Sequence, residues 1–222
     1  SANYHTTLVE VFKVNENGSI QAPKFVAHEG NGPHERQEKP HLHYAGFTPD
    51  EKFVVVVDLG SDVITTYQPN GDELERVSEL KVRAGSGPRH IAFHPTAPFA
   101  YVMTELSNEV IVLKFEASAG SFEEMQYVST IPEEFTENNQ GSAIHLSSDG
   151  KFIYVGNRGH DSIAIFRVKE DFTVELVEWT HTEGSWPRDF VLDPSEQFIV
   201  AANQESGTLA LFERHVETGT LT

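Results

Sequence analysis

Two positions in a repeated sequence unit carry side chains that could bind or hydrolyse a small molecule. In the four copies, the position that opens a predicted strand holds His43, Arg89, Ser142 and Arg188. The position that closes the next strand holds Leu59, Glu105, Arg158 and Gln204. Arginine offers a planar fork of donors that matches phosphate and carboxylate, and histidine acts as a base near neutral pH. The set therefore suits a small anionic or carbonyl-containing ligand.

The neighbouring positions add His41, His90, His145 and Asp189. Each residue alone also has a structural explanation, since Arg89 and Arg188 could brace adjacent repeats and Glu105 could pair with Arg89 or Arg158. A brace should recur in every copy, and these residues do not, so the set as a whole favours a ligand site. His41 and His43 alternate onto one face of a strand, but no third ligand accompanies them, and no metal or cofactor is predicted.

The scaffold of the repeat is apolar. The segments GFTPDEKFVVVVDLGSD, AFHPTAPFAYVMTELSN, HLSSDGKFIYVGNRGHD and VLDPSEQFIVAANQESG align without gaps, at spacings of 46, 53 and 46 residues. An aromatic column in them is formed by Phe53, Phe99, Phe152 and Phe198. The short apolar runs that begin at this column predict strands covered on both faces. Further apolar runs and turn signals add strands on either side.

Four strands in a period in the mid-forties predict an all-β fold of the β-propeller class. The first strand of each propeller blade lines a central channel, so the two chemistry-bearing positions are expected at one end of a water-accessible funnel. We predict one domain over 1–222, with a partial blade at 1–27. About four and a half blades are expected, and open ends would favour self-association. The approximate blade boundaries are 41–81, 88–130, 141–181 and 187–222.

Composition narrows the possible partners. A formal net charge of −18 argues against nucleic acid and against an anionic membrane surface, because both select basic proteins. A local arginine cluster still permits a small anionic substrate. The chain has no cysteine, which removes disulfides, cysteine nucleophiles and cysteine-based zinc sites and favours a cytoplasmic location. No stretch approaches the roughly 20 apolar residues of a membrane span, and no signal peptide is apparent.

Several motifs resemble the seven-bladed propeller lactonase family, which includes propeller-type 6-phosphogluconolactonases and a fungal carboxy-muconate cyclase. The matching segments are KPHLH at 39–43, GPRHIAFHP at 87–95, TELSN at 104–108 and DGKFIYVGNR at 149–158. The resemblance runs over essentially the whole chain. Because family members are typically about half as long again, it implies seven blades in all, with blades missing here at both ends.

The resemblance also implies roles for the residues. By motif position, the proposed family active site of one His, two Arg and one Glu corresponds to His43, Arg89, Glu105 and Arg158. His43 would be the base, oriented or made more basic by Glu105. Arg188 and His145 match positions at which relatives often carry Arg and His. The expected substrate-binding residues are Arg188, His145, His90, His41 and Gln204.

The expected reaction is hydrolysis of a sugar-acid lactone, most simply 6-phosphogluconolactone of the pentose phosphate pathway. One alternative is a lactonase or cyclase acting on another organic acid, such as a muconate. A second alternative is a non-catalytic propeller scaffold. Scaffolds of the WD type carry a Trp-Asp signature in each blade, and neither Trp179 nor Trp186 precedes Asp, which weighs against this reading.

Overall fold

The computed structural model describes all residues, Ser1–Thr222, and its regular elements are strands. Five antiparallel sheets follow one another along the chain. The first is a two-stranded sheet of β1 (Leu8–Val11) and β2 (Lys24–Ala27). The last is a three-stranded sheet of β15 (Pro187–Leu192), β16 (Phe198–Asn203) and β17 (Thr208–Glu213).

Three four-stranded sheets lie between these in the chain. The first contains β3 (Leu42–Phe47), β4 (Val54–Asp58), β5 (Val63–Asn70) and β6 (Glu73–Lys81). The second contains β7 (Pro88–Phe93), β8 (Phe99–Thr104), β9 (Glu109–Glu116) and β10 (Ser121–Ser129). The third contains β11 (Gln140–Leu146), β12 (Phe152–Arg158), β13 (Ser162–Val168) and β14 (Val174–His181). Each sheet is a simple meander, so the predicted all-β architecture of four-stranded sheets is confirmed.

By the density of contacts the chain forms two compact units. Unit 1 comprises Ser1–Arg89 and Phe115–Glu123, and unit 2 comprises His90–Lys114 and Glu124–Thr222. The core of unit 1 includes Val9, Leu42, Val56 and Tyr67. Unit 2 has two apolar clusters, one on each side of the sheet β11–β14. No helix in the structure is long and apolar enough to cross a membrane.

The second strands of the sheets are the most buried elements. Every residue of β8 and β12 is buried, and the apolar side chains of β12 alternate between two clusters, one on each face of the strand. The last sheet differs from the others. Leu209 and Leu211 of β17 are 75% and 66% exposed, whereas the equivalent Ile163 and Ile165 of β13 are 0% exposed. The covered faces of the earlier sheets hold the strand ends in fixed positions.

Turns between the second and third strands repeat a left-handed residue. Asp62, Asn108, Asp161 and Gly207 have φ values of 57°, 57°, 52° and 64°. Aspartate and asparagine tolerate this conformation better than most residues, since their short polar side chains bond to nearby backbone. In two of these turns, Asp62 and Asp161 accept hydrogen bonds from backbone just before the first strand of the next sheet.

Candidate active site

The start of β3 in unit 1 carries the two predicted histidines. His41 is 5% exposed, and its ring stacks on Tyr4 with centroids 4.3 Å apart. Its Nδ1 donates to the Tyr4 carbonyl at 3.0 Å, and its Nε2 lies 3.1 Å from the Glu38 carboxylate. The hydrogen bond from His41 lowers the pKa of Glu38. His41 is thus fixed on both ring nitrogens by protein groups.

His43 has a different environment from His41. Its side chain is half-buried, and its ring meets the edge of Tyr4 with centroids 5.7 Å apart. Tyr4 therefore contacts both histidines, by its face and by its edge. His43 is the more accessible of the two histidines.

Arg89 in unit 1 follows a rigid turn. The carboxylate of Asp62 accepts hydrogen bonds from Gly85 N at 2.7 Å and from Gly87 N at 2.8 Å. Gly85 and Gly87 have φ values of +83° and +61°, a region in which glycine has no Cβ penalty. Pro88 then stiffens the entry into β7. Arg89 itself is only 3% exposed, so its guanidinium lies inside the protein and not on an open surface.

A similar turn, held by an aspartate, precedes Arg188 in unit 2. Asp161 Oδ1 accepts a hydrogen bond from Trp186 N at 2.7 Å. Trp186 takes the place of Gly87 in the repeat and has a φ of +64°, which is strained for a bulky residue. Arg188, two residues later, is exposed, and its Nη1 donates to Gln204 Oε1 at 3.4 Å. Arg188 and Gln204 belong to the two repeat positions that were expected to converge, and these two side chains are in contact in the structure.

A buried ion pair joins two further predicted residues of unit 2, Glu105 and Arg158. Arg158 Nη2 lies 2.8 Å from Glu105 Oε2, and both side chains are 3% exposed. Nη2 also donates to the Gly141 carbonyl at 2.6 Å, and Nε donates to the Gln140 carbonyl at 3.4 Å. The guanidinium lies 5.8 Å from the ring centroid of Trp186. Arg158 is therefore a fixed, charge-compensated donor, and Arg158 is the partner shown for Glu105 among the two that the sequence allowed.

A second pair of ionisable side chains in unit 2, His145 and Asp189, is exposed. His145 Nε2 lies 3.4 Å from Asp189 Oδ1, with side-chain exposures of 39% and 66%. The His145 ring packs edge-on against Phe190 with centroids 4.9 Å apart. The hydrogen bond from His145 is the main reason that the pKa of Asp189 is lowered; partial burial opposes the shift, and the charge of His90 adds to it. His90, His145 and Asp189 thus share one electrostatic environment.

Ser142 belongs to the same repeat position as Arg89 and Arg188 but is structural. Its side chain is 0% exposed, and its Oγ donates to the Pro187 carbonyl at 2.8 Å. This repeat position therefore holds three ionisable residues and one buried serine that bonds to the backbone.

Two contributors were not predicted. The motifs did not predict a role for Trp186 beside Arg158, although the sequence shows a tryptophan at the repeat position that Gly87 occupies in another copy. They also gave no role to Asp58, which contacts the backbone of His41. The available signal was that Asp58 is the only ionisable member of its column, which otherwise contains Thr104, Asn157 and Asn203.

Comparison with known proteins identifies the family. The model of the family described as "Lactonase, 7-bladed beta-propeller" matches residues 1–222. A 6-phosphogluconolactonase of Bacillus subtilis is 58% identical over 225 residues, covering 100% of this chain and 64% of that protein. This chain therefore spans less than two thirds of the length of that relative.

Solved structures give the same result. A putative 6-phosphogluconolactonase from Bacteroides fragilis has a TM-score of 0.91 at 33% identity, covering 100% of this chain and 64% of the other. A periplasmic gluconolactonase from Pseudomonas aeruginosa has a TM-score of 0.94 at 31% identity, covering 99% and 64%. The resemblance predicted from the motifs is confirmed, and the chain belongs to the lactonase family of seven-bladed β-propellers.

Proposed function

We propose that this chain carries the catalytic residues of a lactone hydrolase whose substrate is 6-phosphogluconolactone and whose product is 6-phosphogluconate. The observation that carries the proposal is the buried Glu105–Arg158 pair. Burying two charges is costly even when they are paired, and the other copies of the repeat do without such a pair. A fixed guanidinium suits a reaction in which an oxyanion develops. The Bacillus subtilis relative, whose name specifies this activity, supports the choice of substrate.

The proposed chemistry is addition of water to the lactone carbonyl, followed by ring opening. His43 removes a proton from the attacking water, and the water oxygen bonds to the carbonyl carbon. Arg158, held by Glu105, and Arg89 donate hydrogen bonds to the oxyanion that forms. The carbon–oxygen bond of the ring then breaks, and the proton carried by His43 passes to the departing ring oxygen. The product is an open-chain carboxylic acid with a free hydroxyl, and the acid then releases its proton to solvent to become a carboxylate.

Substrate specificity is assigned to the exposed groups. Arg188 is exposed, and Gln204 is its hydrogen-bonding partner, so its guanidinium can turn to a phosphate at little cost. His145 and His90 join the proposed binding group, whereas His41, which is buried and bonded through both ring nitrogens to protein groups, is assigned a supporting role beside His43. The predicted cytoplasmic location stays a prediction, and one structural relative is periplasmic by name.

A second candidate is hydrolysis of the unphosphorylated lactone. The name of the Pseudomonas aeruginosa structure, a gluconolactonase, favours it. In that case Arg188 would have no phosphate to bind. The two candidate functions share every catalytic step and differ only in whether Arg188 binds a phosphate.

The test compares kcat/KM for 6-phosphogluconolactone and glucono-δ-lactone, after subtraction of spontaneous hydrolysis. We expect Arg188→Gln to lose about tenfold or more on the phosphorylated substrate, since a charged hydrogen bond contributes about 1.5–3 kcal/mol. Its activity on the unphosphorylated substrate should be nearly unchanged. His43→Gln should lose about 10²–10⁴ on both. Lys52→Gln is the control, because Lys52 forms a surface pair with Asp50.

Equal turnover by wild type and His43→Gln contradicts the proposed base. Preference for glucono-δ-lactone, with Arg188→Gln unchanged on both substrates, selects the second candidate. No turnover of either lactone above the spontaneous rate rejects both.

A further inference from the structure

A column of buried polar residues closes the second strand of each repeat, and one member is charged. Its members are 0%, 0%, 0% and 3% exposed in the order Asp58, Thr104, Asn157 and Asn203. The neutral members bond to nearby turns: Asn157 Nδ2 donates to the Thr130 carbonyl and Asn203 Nδ2 to the Thr182 carbonyl, each at 2.8 Å. Bracing the turn at this position therefore does not need a charge.

The carboxylate of Asp58 reaches the histidine-bearing strand. Its Oδ1 accepts hydrogen bonds from His41 N at 2.7 Å and from Gly60 N at 3.0 Å. Its Oδ2 accepts one from Ser61 Oγ at 2.5 Å. A Cβ added to Gly60 would lie 2.7 Å from His41 N, so the turn that carries these donors is in close contact with the start of β3. The backbone of His41, two residues before His43, is fixed by this contact.

A second buried residue stands behind Asp58. His28 is 6% exposed, and its Nδ1 lies 3.7 Å from Asp58 Oδ2. Its Nε2 is hydrogen-bonded to the Tyr67 hydroxyl at 2.8 Å. At the far end, Arg76 and Glu79 act electrostatically on Tyr67. A chain of polar contacts thus runs from β5 through His28 and Asp58 to the backbone of the histidine segment.

Asp58 is held in its charged form. Burial opposes ionisation, but the neighbouring His28 and the hydrogen bonds from Ser61 and the His41 amide outweigh it, and the pKa of Asp58 falls below its usual value. At neutral pH a full negative charge is therefore buried next to the strand that carries His41 and His43. Glu38 supplies the second carboxylate near this strand, at His41 Nε2.

We propose that Asp58, supported by His28, is a positioning residue that fixes the His41–His43 segment and sets the electrostatic potential at its imidazoles. The catalytic part of this inference rests on the proposed function, in which His43 is the base. A histidine base needs a fixed position, because small displacements of a reacting group cost large factors in rate. It also needs its protonated form to be stabilised, which a nearby negative charge provides.

The test uses Asp58→Asn, which gives this repeat the residue that stands at positions 157 and 203. The amide keeps an acceptor for His41 N and removes the charge. We expect kcat/KM for 6-phosphogluconolactone to fall about tenfold or more with KM nearly unchanged. The acid limb of its pH profile should move to lower pH. The ring titration of His43, followed by NMR, should move to lower pH.

Two further variants make the test specific. His28→Gln should move the same quantities in the same direction by a smaller amount, because Asp58 remains. Asn203→Thr is the matched control: it places the residue of position 104 in the same column, changes no charge, and should leave the histidine titrations unmoved. Thermal unfolding of each variant establishes that it is folded.

Wild-type kcat/KM and pH profile in a folded Asp58→Asn protein would overturn the inference. If the wild-type chain hydrolyses no lactone, the proposed function fails, and the NMR titrations then decide the positioning claim alone. An unmoved titration of His43 in Asp58→Asn rejects it, and a downward shift that is absent from Asn203→Thr supports it.

Discussion

Unit 2 contains two acid–base pairs that differ chiefly in burial. Glu105 and Arg158 are 2.8 Å apart and 3% exposed. His145 and Asp189 are 3.4 Å apart, and their side chains are 39% and 66% exposed. The first pair is surrounded by backbone carbonyls and the Trp186 ring. The second pair is open to water. The first pair is therefore fixed in one geometry, and the second is open to a ligand.

The difference separates two contributions to a binding site. A buried guanidinium keeps one geometry and cannot lose its partner cheaply, because its charge would then be uncompensated. Exposed charges interact weakly, since water screens them and their side chains stay mobile. We therefore assign stabilisation of the developing negative charge to Arg158, and recognition of the rest of the substrate to the exposed residues His145 and Arg188.

The largest expected effect comes from breaking the buried pair. Glu105→Gln leaves Arg158 buried without a counter-charge, and should reduce the free energy of unfolding by about 3–5 kcal/mol. Denaturant unfolding at neutral pH measures this loss. The double variant Glu105→Gln/Arg158→Gln should recover part of the loss, because it removes the uncompensated charge.

The exposed pair provides the control. Asp189→Asn should change the free energy of unfolding by no more than about 0.5 kcal/mol, since water screens the interaction. The lowered pKa of Asp189 fixes the sign: its small contribution is present above the ordinary value of 3.8 and disappears as the pH falls through the lowered value. Equal losses in Glu105→Gln and Asp189→Asn would contradict the division between the two pairs.

A smaller effect is expected at Trp186, which packs over the buried pair. Both Trp186→Ala and Trp186→Gly remove the ring, but only glycine relieves the left-handed backbone. After allowance for the greater freedom of glycine in the unfolded chain, Trp186→Gly should be about 0.5–1 kcal/mol more stable than Trp186→Ala. Urea unfolding of the two proteins gives the difference.

The neighbouring position Ser185 is the control for the backbone effect. Its φ is not in the left-handed region, so Ser185→Ala should be more stable than Ser185→Gly. Finding that alanine is also the better residue at position 186 would mean that backbone strain is not what distinguishes Trp186.

The fold was predictable because its signal is repeated. The columns of Phe53, Phe99 and Phe152 and the apolar runs after them indicate buried second strands, and these strands are buried in the structure. Periodicity also predicted the ends of these strands to within one residue: β12 ends at Arg158, and β8 ends directly before Glu105. It identified Glu105 and Arg158 as members of one column, although their contact with each other was only one of two structural alternatives.

Contacts between unlike segments were not predictable. His28 precedes the repeats, and no spacing relates it to Asp58. The stacking of Tyr4 on His41 joins two segments that share no pattern. Burial was also missed: a water-accessible group was expected, but Arg89 and Arg158 are 3% and 2% exposed. Spacing specifies where a strand ends, whereas burial depends on which side chains pack over that end.

The most direct measurement for the whole account is binding of the product, 6-phosphogluconate, followed by NMR of histidine rings in the wild-type chain. We predict saturable shifts at His43, His90 and His145, and none at the exposed His215. Arg188→Gln should weaken this binding. The absence of saturable shifts at His43, His90 and His145, or equal shifts at His215, would contradict the assignment of these strand positions to a lactone-binding site.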